Sequence, residues 1–197
     1  TQHGANWDVS WGGASQWETI QVSGPILGNA AIGDFDGNHY ADVFWSGEGQ
    51  WFIAYGGVGG MGQFIRVNKS DRQVAELGFG DFNGDGTTDV VGVDGGQWKV
   101  SLSATGPWAG FPLRAALTDS MAGLMIADFN DDGHPDIATA ELVYMSSGKS
   151  AVQAWQWKVS WAGKSDWKDL RTVYGPPVGV GQFDATRGAD ILVWETP

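Results

Sequence analysis

Four segments of the sequence carry closely spaced acidic and amide side chains immediately before a run of apolar residues. Carboxylate and amide oxygens recur at alternate positions, and glycines lie among them. Oxygen-only donors at this spacing, with glycine to turn the chain sharply, are typical of a hard-cation site, and calcium fits such a site best. The segments are GDFDGNHYADVFW (33–45), GDFNGDGTTDVVGV (80–93), ADFNDDGHPDIATA (127–140) and GQFDATRGADILVW (181–194).

Each loop is numbered here from the residue before its phenylalanine. Positions one, three, five and nine then offer side-chain oxygens, and position seven offers its backbone carbonyl. Position twelve holds no glutamate and the flanking segments are typical of strands, so the pattern differs from an EF-hand. We expect about two or three calcium ions (Ca2+) per chain. The predicted ligands are Asp34, Asp36, Asn38, Tyr40 and Asp42 in the first loop, Asp81, Asn83, Asp85, Thr87 and Asp89 in the second, and Asp128, Asn130, Asp132, His134 and Asp136 in the third.

The loops differ at position six, where the chain has to turn. Gly86 and Gly133 fill this position in the second and third loops, whereas the first loop has His39. A side chain there strains the turn if φ is positive, so we expect weaker binding in the first loop. The fourth loop starts with the neutral Gln182 and has Arg187 at position six, and we predict no metal there. We expect the guanidinium to replace the ion by pairing with the two remaining acids, Asp184 and Asp190.

The same residue types also form turns without any ion. Two arguments favour a bound cation over turns that hold no ion. The pattern occurs in three strong copies in phase with a repeat. Carboxylates that converge without a cation would also raise one another's pKa and lower the stability of the fold.

The loops belong to a longer internal repeat. Their phenylalanines follow one another at intervals of about 47 residues, the last interval being longer. A second element alternates with the loops, and its apolar and polar residues alternate as in a strand. The apolar runs after the loops predict short strands buried on both faces. The copies of the second element are NWDVSWGG (6–13), QWFIAYGG (50–57), QWKVSLSA (97–104) and QWKVSWAG (156–163).

A unit of this length with about four short strands is typical of a β-propeller blade. We predict a single all-β domain over residues 1–197, a propeller of four blades with four antiparallel strands each. The chain opens with the second half of a unit and closes with the first half. Mixing N- and C-terminal strands in one blade would close the ring and remove open edges. The alternative is part of a larger propeller, completed by a second copy in a homo-oligomer or by further sequence.

The composition narrows the range of possible partners and activities. A formal charge of −12 argues against nucleic acid and anionic membranes as partners, and the absence of cysteine excludes disulfides and thiolate chemistry. No apolar run approaches the roughly 20 residues of a membrane span, so we expect no membrane insertion. The sequence shows no Ser–His–Asp arrangement and no phosphate-binding glycine loop, and we expect no enzyme activity. Filling the loops takes about millimolar calcium, which implies an extracellular or periplasmic setting, and we predict a secreted, extracellular protein.

The 12 tryptophans divide into repeated and unrepeated positions. Aromatic rings that recur in phase with the repeat are expected in the core between blades. These are Trp7, Trp51, Trp98 and Trp157, then Trp17, Trp108 and Trp167, and also Trp11 and Trp161. Three others do not follow the repeat and are candidate ligand contacts: Trp45, Trp155 and Trp194. Trp155 ends an insertion, residues 141–155, that we expect to form a loop suited to binding.

The Gly-Asp-Phe-Asn-Gly-Asp-Gly-x-x-Asp loop, followed by a strand and Gly-Gln-Trp-x-Val, resembles FG-GAP/VCBS-type repeats. The resemblance covers nearly the whole chain and implies calcium-loop propeller blades, as in integrin α-subunits and many secreted proteins. Such relatives usually have about seven blades, so four repeats are a departure. The family includes lectins, adhesion receptors and accessory parts of secreted enzymes and toxins. The resemblance and the unrepeated tryptophans favour a secreted module that binds glycan. The alternatives are a protein–protein adhesion module, with an extracellular protein ligand, and an accessory domain of a secreted hydrolase or toxin.

Overall fold

The protein is an all-β structure, as the repeat predicts. Strands make up 48% of it, and the strands that pair in each described sheet are antiparallel. The computed structural model describes residues 5–10, 13–24, 30–109, 118–147 and 150–194. Three single turns of 3-10 helix are described from end to end, Val74–Glu76, Leu102–Ala104 and Trp161–Gly163, and Gly13 is also 3-10 helical. None of these helical segments has the length and apolar character needed to span a bilayer.

The described strands form five sheets in chain order. The N-terminal sheet consists of β1 (Ala5–Val9) and β2 (Glu18–Gly24). The first sheet consists of β3 (Ala30–Gly33), β4 (Asp42–Gly47), β5 (Gln50–Ala54) and β6 (Ile65–Asn68). The second consists of β7 (Leu77–Gly80), β8 (Asp89–Asp94) and β9 (Gln97–Ser101). The third consists of β10 (Met125–Ala127), β11 (Asp136–Ser147), β12 (Ser150–Ser160) and β13 (Lys168–Val173). The C-terminal sheet consists of β14 (Pro177–Gly181) and β15 (Asp190–Val193).

Each acidic loop joins a short strand to the strand after it, and the register is the same in all four copies. The residue before position one pairs with position nine: Gly33 with Asp42, Gly80 with Asp89, Ala127 with Asp136 and Gly181 with Asp190. The strand after the loop is buried in the first and second sheets, and so is the start of β11 in the third. The prediction of a fully buried strand is wrong for β15, because Leu192 is exposed.

The sheets pack face to face through a ladder of aromatic side chains. At the first three of the four described junctions the tryptophan of one sheet meets an aromatic residue of the next edge-on, an arrangement worth about 1 kcal/mol beyond the buried area, whereas Trp157 packs with aliphatic residues of the C-terminal sheet. Ring centroids lie 5.7 Å apart for Trp7 and Phe64, 5.2 Å for Trp51 and Trp108, and 5.9 Å for Trp98 and Trp167. Aliphatic residues of both sheets complete the core at the two central junctions.

The core prediction is confirmed for most repeated tryptophans. Trp7, Trp51, Trp98 and Trp157 are buried, and Trp108, Trp161 and Trp167 pack against the core clusters. It is wrong for Trp17, which is 73% exposed. Its equivalents lie against the sheet that precedes theirs, and none of the described strands precedes the N-terminal sheet. Trp11 lies outside the described residues.

The insertion predicted as a loop is instead an extension of a hairpin. The ladder between β11 and β12 runs without interruption from Ile137 and Ser160 to Ser147 and Ser150. Beyond Ala138, no strand pairs with the outer edge of β11 among the described residues. We call residues 141–155 the hairpin arm.

The two terminal sheets correspond to different halves of the four-stranded first sheet. The C-terminal sheet corresponds to the first two strands of the first sheet, and the N-terminal sheet to its last two. In the described ranges each half pairs only within itself. Closure of a four-bladed ring within one chain therefore stays a prediction.

Candidate functional site

The acidic loops are organised by the position-one carboxylate, which gathers backbone N–H groups from its own loop. Asp81 Oδ1 accepts hydrogen bonds from the N–H groups of Gly84 at 2.7 Å and Asp85 at 3.1 Å, and Oδ2 accepts one from Gly86 at 2.8 Å. Asp128 does the same for Asp132 and Gly133. The loop backbone is therefore wrapped around one carboxylate, whose oxygens keep further lone pairs for a cation.

Positions three and five form a second pair of acceptors in the middle of the loop. The amide of Asn83 donates to Asp85 Oδ2 at 2.8 Å, and Asn130 donates to Asp132 Oδ2 at 2.9 Å. Asp85 Oδ1 also accepts from the backbone N–H and the hydroxyl of Thr87. These side chains are exposed apart from the partly buried Asn83 and Thr87, so an ion in the loop would reach solvent.

The position-nine aspartate has a role beyond that of the candidate ligand we predicted. Asp89 is fully buried, and its two oxygens accept from different parts of the chain: Phe82 N–H at 3.0 Å and Ser103 N–H at 2.9 Å. Through these two hydrogen bonds Asp89 connects the start of its loop to the end of β9. The sister contacts are Asp42 to Phe35 and Gly56 at 2.6 and 2.8 Å, and Asp136 to Phe129 and Ala162 at 2.9 and 2.7 Å.

Burial makes these carboxylates electrostatically unfavourable. It raises the pKa of Asp42, Asp89 and Asp136, and that of Asp89 rises to about 6. The backbone N–H donors lower the pKa, while the other acids of the same loop raise it further. The pKa of the exposed Asp85 is instead lowered, chiefly by the hydroxyl of Thr87. A cation among these groups would offset the repulsion that raises the pKa at position nine.

The donor set fits a hard cation, and one loop brings three carboxylates together. Asp34, Asp36 and Asp42 each place an oxygen within 4.8 Å of the others. In the second and third loops an asparagine stands at position three, so the donors there combine an amide with carboxylates. All three loops thus offer the oxygen ligands that calcium prefers.

The backbone at position six confirms the strain expected in the first loop. His39 has φ of 68°, while Gly86 and Gly133 have 86° and 85°. A non-glycine residue in this left-handed region costs about 1 kcal/mol. The first loop therefore adopts the left-handed conformation at position six although His39, unlike glycine, carries a Cβ there.

The fourth loop has lost the pattern, but in a different way from our prediction. Arg187 does not pair within its own loop: its Nη1 lies 3.1 Å from Oδ2 of Asp131 in the third loop. The amide of Gln182 instead donates to the carbonyls of Asp184 and Thr186, across the loop that position one organises elsewhere. In the fourth loop a side-chain amide that donates hydrogen bonds therefore stands at position one, where the other three loops have a carboxylate that could bind a cation.

Position seven links neighbouring loops. The ring of His134 lies over Gly84 of the second loop, and the methyl group of Thr87 lies over Gly37 of the first. This placement leaves the carbonyl, not the imidazole ring of His134, as the candidate ligand of its own loop. The equivalent residue of the first loop, Tyr40, is exposed and lines a small apolar cavity of about 160 Å³ with Val9 and Met61. We did not predict this cavity, because its walls come from distant segments.

The three unrepeated tryptophans lie in different places. Trp45 is half-buried and packs on Phe52 with ring centroids 4.8 Å apart, so its role as a ligand contact stays a prediction. Trp155 is half-buried at the base of the hairpin arm, opposite Leu142. Trp194 is exposed just beyond β15. No ring contact joins any two of them among the described residues.

The hairpin arm exposes several large apolar side chains close together in sequence. Leu142, Tyr144, Met145 and Val152 are all exposed. Residues opposite each other in an antiparallel pair share a face, so Leu142 and Tyr144 lie on the face of Trp155 and Gln153. The sequence signal for the arm was the longer interval between repeats.

Residues 81–139 match the family model of the FG-GAP-like repeat. The segment runs from position one of the second loop into the strand that follows the third loop. The resemblance to FG-GAP-type repeats is confirmed there, and such a repeat suggests a β-propeller-like recognition or adhesion module. The comparison with curated proteins found no significant match, and neither did the comparison with solved structures.

Proposed function

We propose that the protein is a secreted, non-catalytic recognition module. Its acidic loops bind calcium and stiffen the sheets, and the hairpin arm contacts an extracellular protein ligand. The observation that carries the proposal is the arm itself, a two-stranded hairpin with exposed Leu142 and Tyr144 on one face and Met145 on the other. Contiguous apolar side chains on a polar protein mark interaction sites.

The backbone of the arm supports a protein ligand. The outer edge of β11 has no strand partner beyond Ala138 among the described residues, so its N–H and C=O groups are available for strand addition. An extended peptide segment would take hydrogen bonds from this edge and place alternate side chains beside Tyr144 and Met145. Main-chain pairing would supply affinity, and the side chains would supply specificity.

Glycan binding is the second candidate. Tyr144, Gln153 and Trp155 share one face of the arm, where aromatic rings and an amide lie side by side. Sites of mixed aromatic and polar character are typical of small-ligand recognition. A glycan would therefore contact this same face, with the rings packing against it and Gln153 providing hydrogen bonds.

Calcium belongs to the scaffold in this proposal. The three candidate loops lie at the start of β4, β8 and β11, and β11 continues into the arm. If calcium exceeds Kd a hundredfold, each filled loop stabilises the fold by about 2.7 kcal/mol. The role requires the calcium levels found outside cells.

A binding screen against arrays of extracellular proteins and of glycans, in calcium buffer, tests the proposal. The double variant Leu142→Ser, Tyr144→Ser should lose a protein signal that the unmodified chain gives. The matched control is Val58→Ser, which removes an apolar side chain that is 93% exposed and belongs to the segment between β5 and β6 of the first sheet. Binding to glycans alone would favour the second candidate. A signal that both variants keep would show that the arm is not the contact surface.

A further inference from the structure

Consecutive sheets meet through one repeated contact at the position-two phenylalanine. Phe35 of the first loop meets Phe79 of the second sheet edge-on, with ring centroids 6.3 Å apart. Phe82 packs in the cluster that contains Ile126, and Phe129 in the cluster that contains Val180. In each of these three cases the residue named from the next sheet is the apolar residue two places before the next loop.

The loops also meet through their backbones. The position-eight N–H of one loop donates to the position-one carbonyl of the preceding loop: Thr88 to Asp34 at 2.6 Å and Ala189 to Asp128 at 2.7 Å. Between the second and third loops this donor is missing because position eight is Pro135, whose ring instead packs on Gly80. Each loop thus offers its position-one carbonyl to the following loop and its position-eight residue to the preceding loop.

At both ends of the described series of sheets, the residue that would make this contact is exposed. Phe183, the position-two residue of the fourth loop, is 61% exposed, whereas Phe35 and Phe82 are 2% and 1% exposed. At the other end, Ile32 is 64% exposed, although it stands two places before the first loop, like Phe79. Trp17 is exposed on the adjoining N-terminal sheet. We call Phe183 with its loop the trailing surface, and Ile32, Tyr40 and Trp17 the leading surface.

We infer that the trailing surface of one copy of the chain docks on the leading surface of a second copy. The repeat specifies the fit. Phe183 packs on Ile32, Tyr40 lies over Ala185 as His134 lies over Gly84, and the N–H of Ala41 donates to the carbonyl of Gln182. The C-terminal sheet of one copy then lies beside the N-terminal sheet of the other, and together they supply the four strands of a complete unit.

A second copy is the occupant because the two surfaces complement each other and stand apart within one chain. Both Phe183 and Ile32 are exposed in the same molecule, so neither covers the other. The surfaces also differ from each other, which makes the contact heterologous: each copy uses its trailing surface on one neighbour and its leading surface on another. Such contacts close into a ring or extend into a chain of copies.

Light scattering on the 197-residue chain over a wide range of concentration tests the inference. The mass should rise with concentration. Phe183→Asp and Ile32→Asp should each weaken association by at least about tenfold, since each removes a large apolar side chain from the contact. Both side chains are exposed, so both variants should keep the fold, as circular dichroism would verify. Val152→Asp is the matched control and should associate normally, because Val152 is an exposed apolar residue of the hairpin arm, at the end of the β11–β12 ladder away from the acidic loop.

Mixing the two variants gives the sharper result. A copy with Ile32→Asp keeps its trailing surface, and a copy with Phe183→Asp keeps its leading surface. The mixture should therefore form one-to-one pairs that grow no further. A chain that stays monomeric at every concentration overturns the inference, whether or not Phe183→Asp lowers its melting temperature through closure within one chain. A mixture that forms no pairs overturns it as well.

Discussion

At the scale of the residue, the position-nine aspartate connects the metal chemistry to the fold. Asp89 is buried, accepts two backbone hydrogen bonds, and has its pKa raised to about 6 by burial. Asp85 lies exposed in the same loop, with its pKa lowered by hydrogen bonds. Both are candidate ligands, yet their surroundings differ. Their substitution should therefore separate the stability of the fold from calcium affinity.

Asp89→Asn should destabilise the calcium-free protein by about 2 kcal/mol, because an amide N–H2 would replace one of two acceptors that face buried N–H donors. Asp85→Asn should change calcium-free stability by less than about 0.5 kcal/mol, yet weaken calcium binding. Urea unfolding in chelator measures the first effect, and a calcium titration measures the second. Equal stability losses for the two variants would contradict a special role for position nine.

His39 offers a test of backbone strain. His39→Gly should stabilise the calcium-free protein by up to about 1 kcal/mol, because glycine adopts the φ of 68° without a Cβ penalty, although it loses more entropy on folding. It should also strengthen calcium binding in the first loop. Gly86→Ala is the reciprocal variant and should destabilise. A loss of stability in His39→Gly would contradict a strain cost at this position.

At the scale of the element, sheets approach each other closely where glycine stands in the inner strand. A Cβ on Gly78 would lie 2.1 Å from Cδ1 of Ile126 and 2.9 Å from Cγ1 of Val91. The second and third sheets therefore meet with almost no room at this point. Crowding a packed core in this way is costly because the neighbours have to leave their preferred rotamers.

Gly78→Ala should accordingly destabilise the protein by about 1–3 kcal/mol. Gly57→Ala is the control, because no neighbouring atom lies within 4 Å of its Cβ position. Thermal melting of the two variants beside the unmodified chain measures the difference. A Gly78→Ala protein as stable as the control would mean that the sheets are not packed as closely as described.

The sequence predicts elements well where a pattern repeats. The alternation around Trp98 and Trp157 predicts strands and a buried ring, and both are found. Two features escaped prediction. The hairpin arm has no repeat to compare with, and the longer interval between repeats indicated an insertion without indicating that it pairs as strands. The pairing of Arg187 with Asp131 joins residues of different loops, which the pattern of a single loop cannot reveal.

At the scale of the whole molecule, the charge and the repeat act together. The net charge is −12, and many of the acids are concentrated in the loops. These loops lie next to one another along the array, joined by Thr88 and Ala189. Calcium at three of them would offset much of this local charge. The calcium-free chain should therefore be markedly less stable than the calcium-bound one.

A calcium titration by calorimetry, paired with melting curves in calcium and in excess chelator, tests this claim most directly. We expect about two or three ions per chain and none in the fourth loop. The melting temperature should rise by an amount consistent with about 2.7 kcal/mol for each site when the calcium concentration is a hundredfold above its Kd. The double variant Asp85→Asn, Asp132→Asn should lose ions from the second and third loops. No heat of binding, together with the same melting curve in chelator, would contradict the account.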